Sequence, residues 1–490
     1  MIVDFDKADL LPVKYDVCIA GAGIAGITLA VLLEKKRVLL LEAGGKNFSE
    51  ISQSLYKGQI IGHEYFDLDT ARLRFLGGTS NHWAGWCRYL DPHDFERRSH
   101  IEGSGWPIDF EDVDAYLPVA LKILEIDPFA SNRVLEGSDG MFEEFDLRVN
   151  AINFKDKYTD LLDKSDKIDV LLNANVVDII LNTENGRVAT FDVRGYSGKS
   201  LQVNADNFVL AMGGIENARA LLNANKQLPS GIGNENDLVG RYFMEHLVFT
   251  LGYYTVDSTS TNIGTDEREF IAPSPAFQER SQIANCGLRL LKVVAAAKEQ
   301  GLLGSVKSLS KETICESAIL IDLLRSIRWF RCPPPFDRAG LVRAASEQVP
   351  NPHSRVLLNQ EIDLFGLRQV SLDWRLTPLD KETLRESMLG LAEFFATQNI
   401  GRVKIDPWLL DKDVGFPPKE ADELAGYHHM GTTRMARSQK EGVVDENCRV
   451  FDVANLFIAG SSVFSTGGHA NPTLPIVQLT ARLADHLTTA

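Results

Sequence analysis

Two short stretches hold residues whose types and spacing could do chemistry together. Residues 427–435 read YHHMGTTRM, which sets His428 beside His429. Residues 21–26 read GAGIAG, a G-x-G-x-x-G turn. An imidazole titrates near neutrality, so it can take a proton from a reacting group at ordinary pH. Adjacent side chains point in different directions, so only one of the two rings is expected to face a ligand. What that ring acts on depends on what the rest of the chain holds.

The glycine turn has the context that gives it weight. The pattern predicts a strand over 16–20, the turn at Gly21–Gly26, a helix from about 27 to 35, and a strand over 37–41 ending in Glu42. That is the order of a dinucleotide-binding unit. Gly21 permits the tight turn, Gly23 lets backbone approach a pyrophosphate at the helix N-terminus, and Gly26 lets helix and strand pack closely. Glu42 can accept hydrogen bonds from ribose hydroxyls and would repel a 2′-phosphate, which argues against NADP. The motif does not separate NAD from FAD. Other segments do: a Gly-Gly loop leading into His82-Trp83, a strand–turn–helix over 207–224, and a C-terminal strand, glycine-rich bend and helix over 450–487. An extended cofactor touched by far-apart segments suits FAD.

The bulk properties narrow the class. The chain has 490 residues, enough for two domains with a sizeable core. Its net charge of −16 argues against nucleic-acid binding, which needs a basic face. The cysteines at 18, 87, 286, 315, 332 and 448 share no CxxC spacing, which disfavours a zinc site or a disulfide framework. The first residues lack the basic-then-apolar pattern of a signal peptide, and no apolar run approaches a membrane span. A cytoplasmic enzyme with no metal is the expectation.

Between the cofactor segments the pattern changes. Residues 173–195 read as a small antiparallel sheet, 247–300 and 340–376 as strand-rich, and 379–400 as helical. A second domain inserted in the first is expected. The cofactor domain would take 1–110, 165–246 and 425–490, and the substrate domain 111–164 and 247–424. In 313–335, Ile319, Leu320, Leu323, Leu324, Ile327 and Phe330 would share one face of a helix stopped by Pro333–Pro335. A helix packed on the substrate domain is favoured there over a lid or docking surface.

With these stretches in hand the chain resembles the glucose–methanol–choline (GMC) family of FAD-dependent oxidoreductases. The resemblance runs nearly end to end. It is carried by GAGIAG with LLLEAG, by LGGTSNHWAG (76–85), GSGWPI (103–108), LAMGGIENARALL (210–222) and EQVPNPHSRVLL (347–358), and by YHHMGTTRM with GGHANPT (467–473). Within the family it looks closest to the pyranose-oxidase-like and bacterial sugar-dehydrogenase branch. The resemblance implies a Rossmann-type FAD domain with a parallel sheet, built from discontinuous segments, and a substrate domain with a large antiparallel sheet and helices.

The resemblance also assigns roles. His428 matches the family's catalytic histidine and Asn471 the second member of its pair. Alcohol oxidation removes a hydroxyl proton and a hydride. His428 would be the base, and the Asn471 amide would orient the hydroxyl without competing for its proton. His429 is taken as structural, and His469 is given no role of its own. Gly77, Gly78, Ser80 and Asn81 would form the loop meeting the flavin and pyrophosphate, with Val176, Gly213, Gly460, Pro472 and Thr473 also at the cofactor. Pro472 suits a first helical turn, whose positive end would face the flavin's pyrimidine side. His82 falls where pyranose oxidases bond the flavin covalently. Non-covalent binding is slightly favoured. The expected activity is oxidation of an alcohol, a secondary hydroxyl of a sugar, glycoside or polyol, with electrons passing to dioxygen or a quinone-like acceptor. A cyclic alcohol in natural-product biosynthesis is the competing substrate. A lyase without net redox, or a non-catalytic binding subunit, ranks lower.

Overall fold

The computed structural model describes residues 1–8, 14–182, 184, 186–257, 270–292 and 338–489. The amphipathic stretch 313–335, with Cys315 and Cys332, lies outside them.

A six-stranded sheet, parallel throughout, forms from segments distant in sequence. Its order is Ile2–Asp4, Ile168–Leu172, Val38–Leu41, Tyr15–Ala20, Ala205–Leu210 and Leu456–Ile458. The four inner strands are apolar on nearly every residue, as strands covered on both faces must be. The helix after the glycine turn runs Ile24–Leu32 and packs against the C-terminal helix Thr473–Thr489. It starts three residues earlier than the pattern suggests, because the Gly23 carbonyl already accepts the Ile27 N–H. A Cβ on Gly26 would lie 1.8 Å from the Gly21 carbonyl oxygen, so glycine is obligatory at this contact.

The second core lies between an antiparallel sheet and the helix Pro378–Thr397. This sheet of nine strands runs in the order Gly401–Ile405, Thr250–Val256, Arg338–Glu347, Cys286–Lys292, Phe270–Pro273, Phe142–Phe145 and Arg133–Val134, with His246–Val248 and Leu424–Ala425 paired at its side. Two strands read from 340–376 go elsewhere. Arg355–Ile362 and Arg368–Asp373 form a hairpin that pairs with Gly58–Ile60 in a separate three-stranded sheet. The small antiparallel sheet is Asn175–Asn182, Arg187–Arg194 and Ser200–Val203.

Residues 111–164 divide between the two cores. Phe142–Phe145 joins the large sheet. Val113, Ile123, Phe154, Tyr158 and Leu162, from the helices Phe110–Asp114, Leu117–Leu124 and Phe154–Lys164, bury with the parallel sheet instead. Phe154–Lys164 packs on the strand Ile168–Leu172, while Phe110–Asp114 and Leu117–Leu124 pack on the C-terminal helix.

Buried ion pairs join the two units, Arg98 with Glu347 and Arg219 with Asp363. Arg98 donates from both terminal nitrogens to Glu347, at 2.7 and 2.6 Å, and neither residue exceeds 7% exposure. Glu347 also accepts the Asn285 N–H at 3.0 Å. Deleting one partner strands a buried charge. Arg98→Met is expected to destabilise the holoprotein by about 3–5 kcal/mol, read as a lowered thermal midpoint.

Candidate active site

A cavity of about 790 Å³ runs from the glycine turn to the underside of the large sheet. Its cofactor end is built by local chain rules. Gly23 caps the helix Ile24–Leu32 without a side-chain bond, and a Cβ there would meet nothing within 4 Å. The helix's first N–H groups therefore face open space, a ready site for an anion. Glu42 is 5% exposed. Its carboxylate accepts the Ala22 N–H at 3.0 Å and the Gly44 N–H at 2.8 Å. Those bonds oppose the burial that pushes its pKa up. At the far end the cavity meets the first turn of Thr473–Thr489, where the Pro472 carbonyl accepts the Ile476 N–H.

Of the residues expected from sequence, Gly21, Gly23, Glu42, Gly78, His82, Val176, Gly213, Gly460, Asn471, Pro472, Thr473 and His428 line this cavity. Gly26, Gly77, Ser80 and Asn81 do not, and their contacts show why. Gly26 is spent on the Gly21 carbonyl. Gly77 takes a left-handed turn at φ 91°. Ser80 bonds the Gly77 carbonyl at 2.6 Å and accepts the Phe154 N–H at 3.1 Å. Asn81 donates to the Leu76 and Gly78 carbonyls at 2.9 and 2.8 Å. These side chains hold the loop's shape from behind.

His428 and Asn471 meet at the cavity wall, with His428 Nε2 3.3 Å from Asn471 Nδ2. Forty-three residues separate them in sequence. His428 Nδ1 stands 2.8 Å from Nδ1 of His246. Burial, then the neighbouring rings of His246 and His429, hold the His428 pKa well below the usual imidazole range. The ring is therefore neutral at pH 7 and has a lone pair to offer.

His429 turns the other way, into the protein. Its Nε2 lies 2.9 Å from the Tyr65 hydroxyl, and its ring lies beside Phe243. Burial and then Arg72 push its pKa down to about 3. The Tyr65 hydroxyl donates to Glu245, and Glu245 also accepts the backbone N–H groups of His428 at 2.8 Å and His246 at 3.1 Å.

Sequence reading missed Tyr65, Glu245 and His246, which come from different segments and carry no local spacing signal. It also missed the walls. Trp86, Phe145, Phe270, Arg289 and Arg343 line the end under the large sheet, with the Arg289 guanidinium 4.5 Å from the Trp86 ring centre. His469 faces the same space while its Nε2 bonds Asp91 at 3.0 Å.

One cavity thus contains both the glycine turn and the histidine–asparagine pair. Residues 350–480 match the family model described as GMC oxidoreductase. The chain is 24% identical over 338 residues to the fructose dehydrogenase large subunit of Gluconobacter japonicus, covering 66% of this chain and 54% of that one. It is 28% identical over 319 residues to 2-methyl-1,2-propanediol dehydrogenase of Mycolicibacterium austroafricanum, covering 63% and 52%. The matches thus span about half the length of these relatives. The solved structure of pyridoxine 4-oxidase from Mesorbium loti superposes with a TM-score of 0.56 over 97% of this chain and 99% of that one, at 16% identity, which shows a shared fold.

The likeness to the GMC oxidoreductases is carried in sequence by residues 350–480 and in structure by a shared fold. That family binds FAD, and the residues present fit it: an uncapped helix N-terminus over open space, a buried carboxylate nearby, and a second helix N-terminus at the far end.

Burial raises the Glu245 pKa from 4.5 to about 7, against the bonds it accepts. The native state then holds an extra proton between those values, so stability falls as pH rises from 4.5 to 7. Asp380 is also raised to about 7 but is common to wild type and variant. Glu245→Gln is expected to gain on wild type by about 3 kcal/mol across that window, measured as the difference in thermal stability against pH.

Proposed function

We propose that this protein oxidises an alcohol C–OH to a carbonyl, with His428 as the base and Asn471 as the residue that orients the hydroxyl. The observation that carries this is the 3.3 Å approach of His428 Nε2 and Asn471 Nδ2 on the wall of a cavity that also contains the dinucleotide cradle. Bound FAD supplies the hydride acceptor. His428, neutral and desolvated, takes the hydroxyl proton on Nε2. Asn471 donates from its amide to the same oxygen, so that oxygen is fixed while its proton leaves. The first turn of Thr473–Thr489 directs N–H groups into the far end of the cavity, beside Asn471, where they favour negative charge.

The substrate is a secondary hydroxyl of a sugar, glycoside or polyol. The likeness to a fructose dehydrogenase subunit supports a sugar. So do the rings of Trp86, Phe145 and Phe270, which give apolar faces for the C–H side of a sugar ring. Electrons pass onward to dioxygen or a quinone-like acceptor. No helix among the described residues is long and apolar enough to cross a membrane. FAD is held without a covalent bond, with His82 beside it.

The test is anaerobic addition of sugars, glycosides, polyols and cyclic alcohols to the FAD-loaded protein. Bleaching by a sugar or polyol is expected. A product-forming substrate that leaves the flavin oxidised throughout turnover sinks the proposal in favour of lyase chemistry. His428→Asn is expected to slow bleaching by about 10²–10⁴-fold, and Asn471→Ala by up to about 10²-fold, with FAD content unchanged. Acid precipitation is expected to leave the yellow colour in the supernatant; colour in the pellet establishes a covalent link.

A further inference from the structure

A base needs its lone pair on the right nitrogen, and a neutral imidazole has two tautomers. His246 decides between them by geometry. It opens the strand His246–Val248 and is 1% exposed. Its Nε2 lies 2.8 Å from the Gly468 carbonyl oxygen and 3.3 Å from that of Gly467. A carbonyl oxygen only accepts, so Nε2 carries a hydrogen. Burial holds the ring's pKa down to about 4, which leaves it one hydrogen at neutral pH. Its Nδ1 is therefore bare.

The consequence passes to His428. Two bare nitrogens repel, so Nδ1 of His428, 2.8 Å away, carries the hydrogen and donates it. His428 is itself neutral, so its Nε2 is the lone pair. The other side of the ring agrees, because the Asn471 amide nitrogen, a donor, is the group at 3.3 Å from that Nε2. One short loop supplies both ends. Gly467 and Gly468 set the first hydrogen, and Asn471 meets the last lone pair. Gly468 holds φ 53°, and a Cβ there would fall 2.4 Å from Asp94 Oδ2, so glycine is needed to place this carbonyl.

We propose that His246 is a positioning residue that locks His428 in the Nδ1–H tautomer, with Nε2 as the proton acceptor for the substrate hydroxyl. This rests on the assignment of His428 as the base. An acceptor behind Nδ1–H also makes Nε2 more basic and fixes the ring plane, as the carboxylate does behind the histidine of a serine–histidine pair. His246 does so without a charge, which suits a site where a carboxylate would have to be buried.

The test reads tautomers directly. Histidine-labelled ¹⁵N protein with FAD bound is examined at pH 7 by long-range ¹H–¹⁵N correlation, with His428 assigned by its loss in His428→Asn. A protonated Nδ1 and bare Nε2 on His428 are expected. His246→Asn keeps an acceptor oxygen where Nδ1 stood and is expected to preserve that pattern. His246→Leu removes it and is expected to shift His428 towards Nε2–H, with flavin reduction slowed about 10- to 100-fold. A wild-type His428 bearing hydrogen on Nε2, or an unaltered tautomer in His246→Leu, overturns the proposal. If His246→Leu does not fold, the wild-type spectrum still decides. The underlying assignment fails separately: His428→Asn that bleaches at the wild-type rate would remove His428 as the base whatever its tautomer.

Discussion

The carboxylate of Glu245 joins the two chain segments that carry the imidazoles. It accepts backbone hydrogens from His246 and His428 and the hydroxyl of Tyr65, all out of water. Those segments come from opposite sides of a 182-residue separation. Without a shared acceptor their N–H groups would be buried and unpaired, at a cost of a few kcal/mol together. The rest of the site hangs on this tie. It sets His428 against the cavity, turns His429 inward to Tyr65, and brings His246 to hydrogen-bond distance of its partner.

A similar logic runs along the junction between the two sheets. Arg98 and Glu347 neutralise each other there, and Asp91 is held by Arg88 at 2.6 Å and by His469 at 3.0 Å. Burial tends to raise the Asp91 pKa, but Arg88 and His469 outweigh it and hold the group ionised. Buried polar groups specify one arrangement because alternative packings leave charges or hydrogen-bonding groups unmatched. A site assembled from distant strands needs such specificity. Apolar packing alone tolerates small slips, while a proton acceptor must sit within hydrogen-bond reach.

Local rules explain what was legible beforehand. The glycine turn is readable because φ of 106° at Gly21 and the 1.8 Å approach at Gly26 admit nothing else. The inner parallel strands are readable because burial on both faces makes most of their residues apolar. Ser80 and Asn81 are hard to read for the converse reason. Polar side chains in a glycine-rich loop serve equally to bind a ligand or to bond the loop's own carbonyls, and spacing does not distinguish the two.

The sequence by itself determined the glycine turn and the strand and helix patterns around it, since each depends on steric or periodic constraints confined to a few neighbouring residues. It also marked His428 and Asn471, through resemblance. Only the tertiary structure decided which elements the helices of 111–164 pack against, and that His246 stands at hydrogen-bond distance from His428. Those outcomes depend on contacts between residues far apart along the chain, where burial and hydrogen-bond geometry act through space and leave no local pattern.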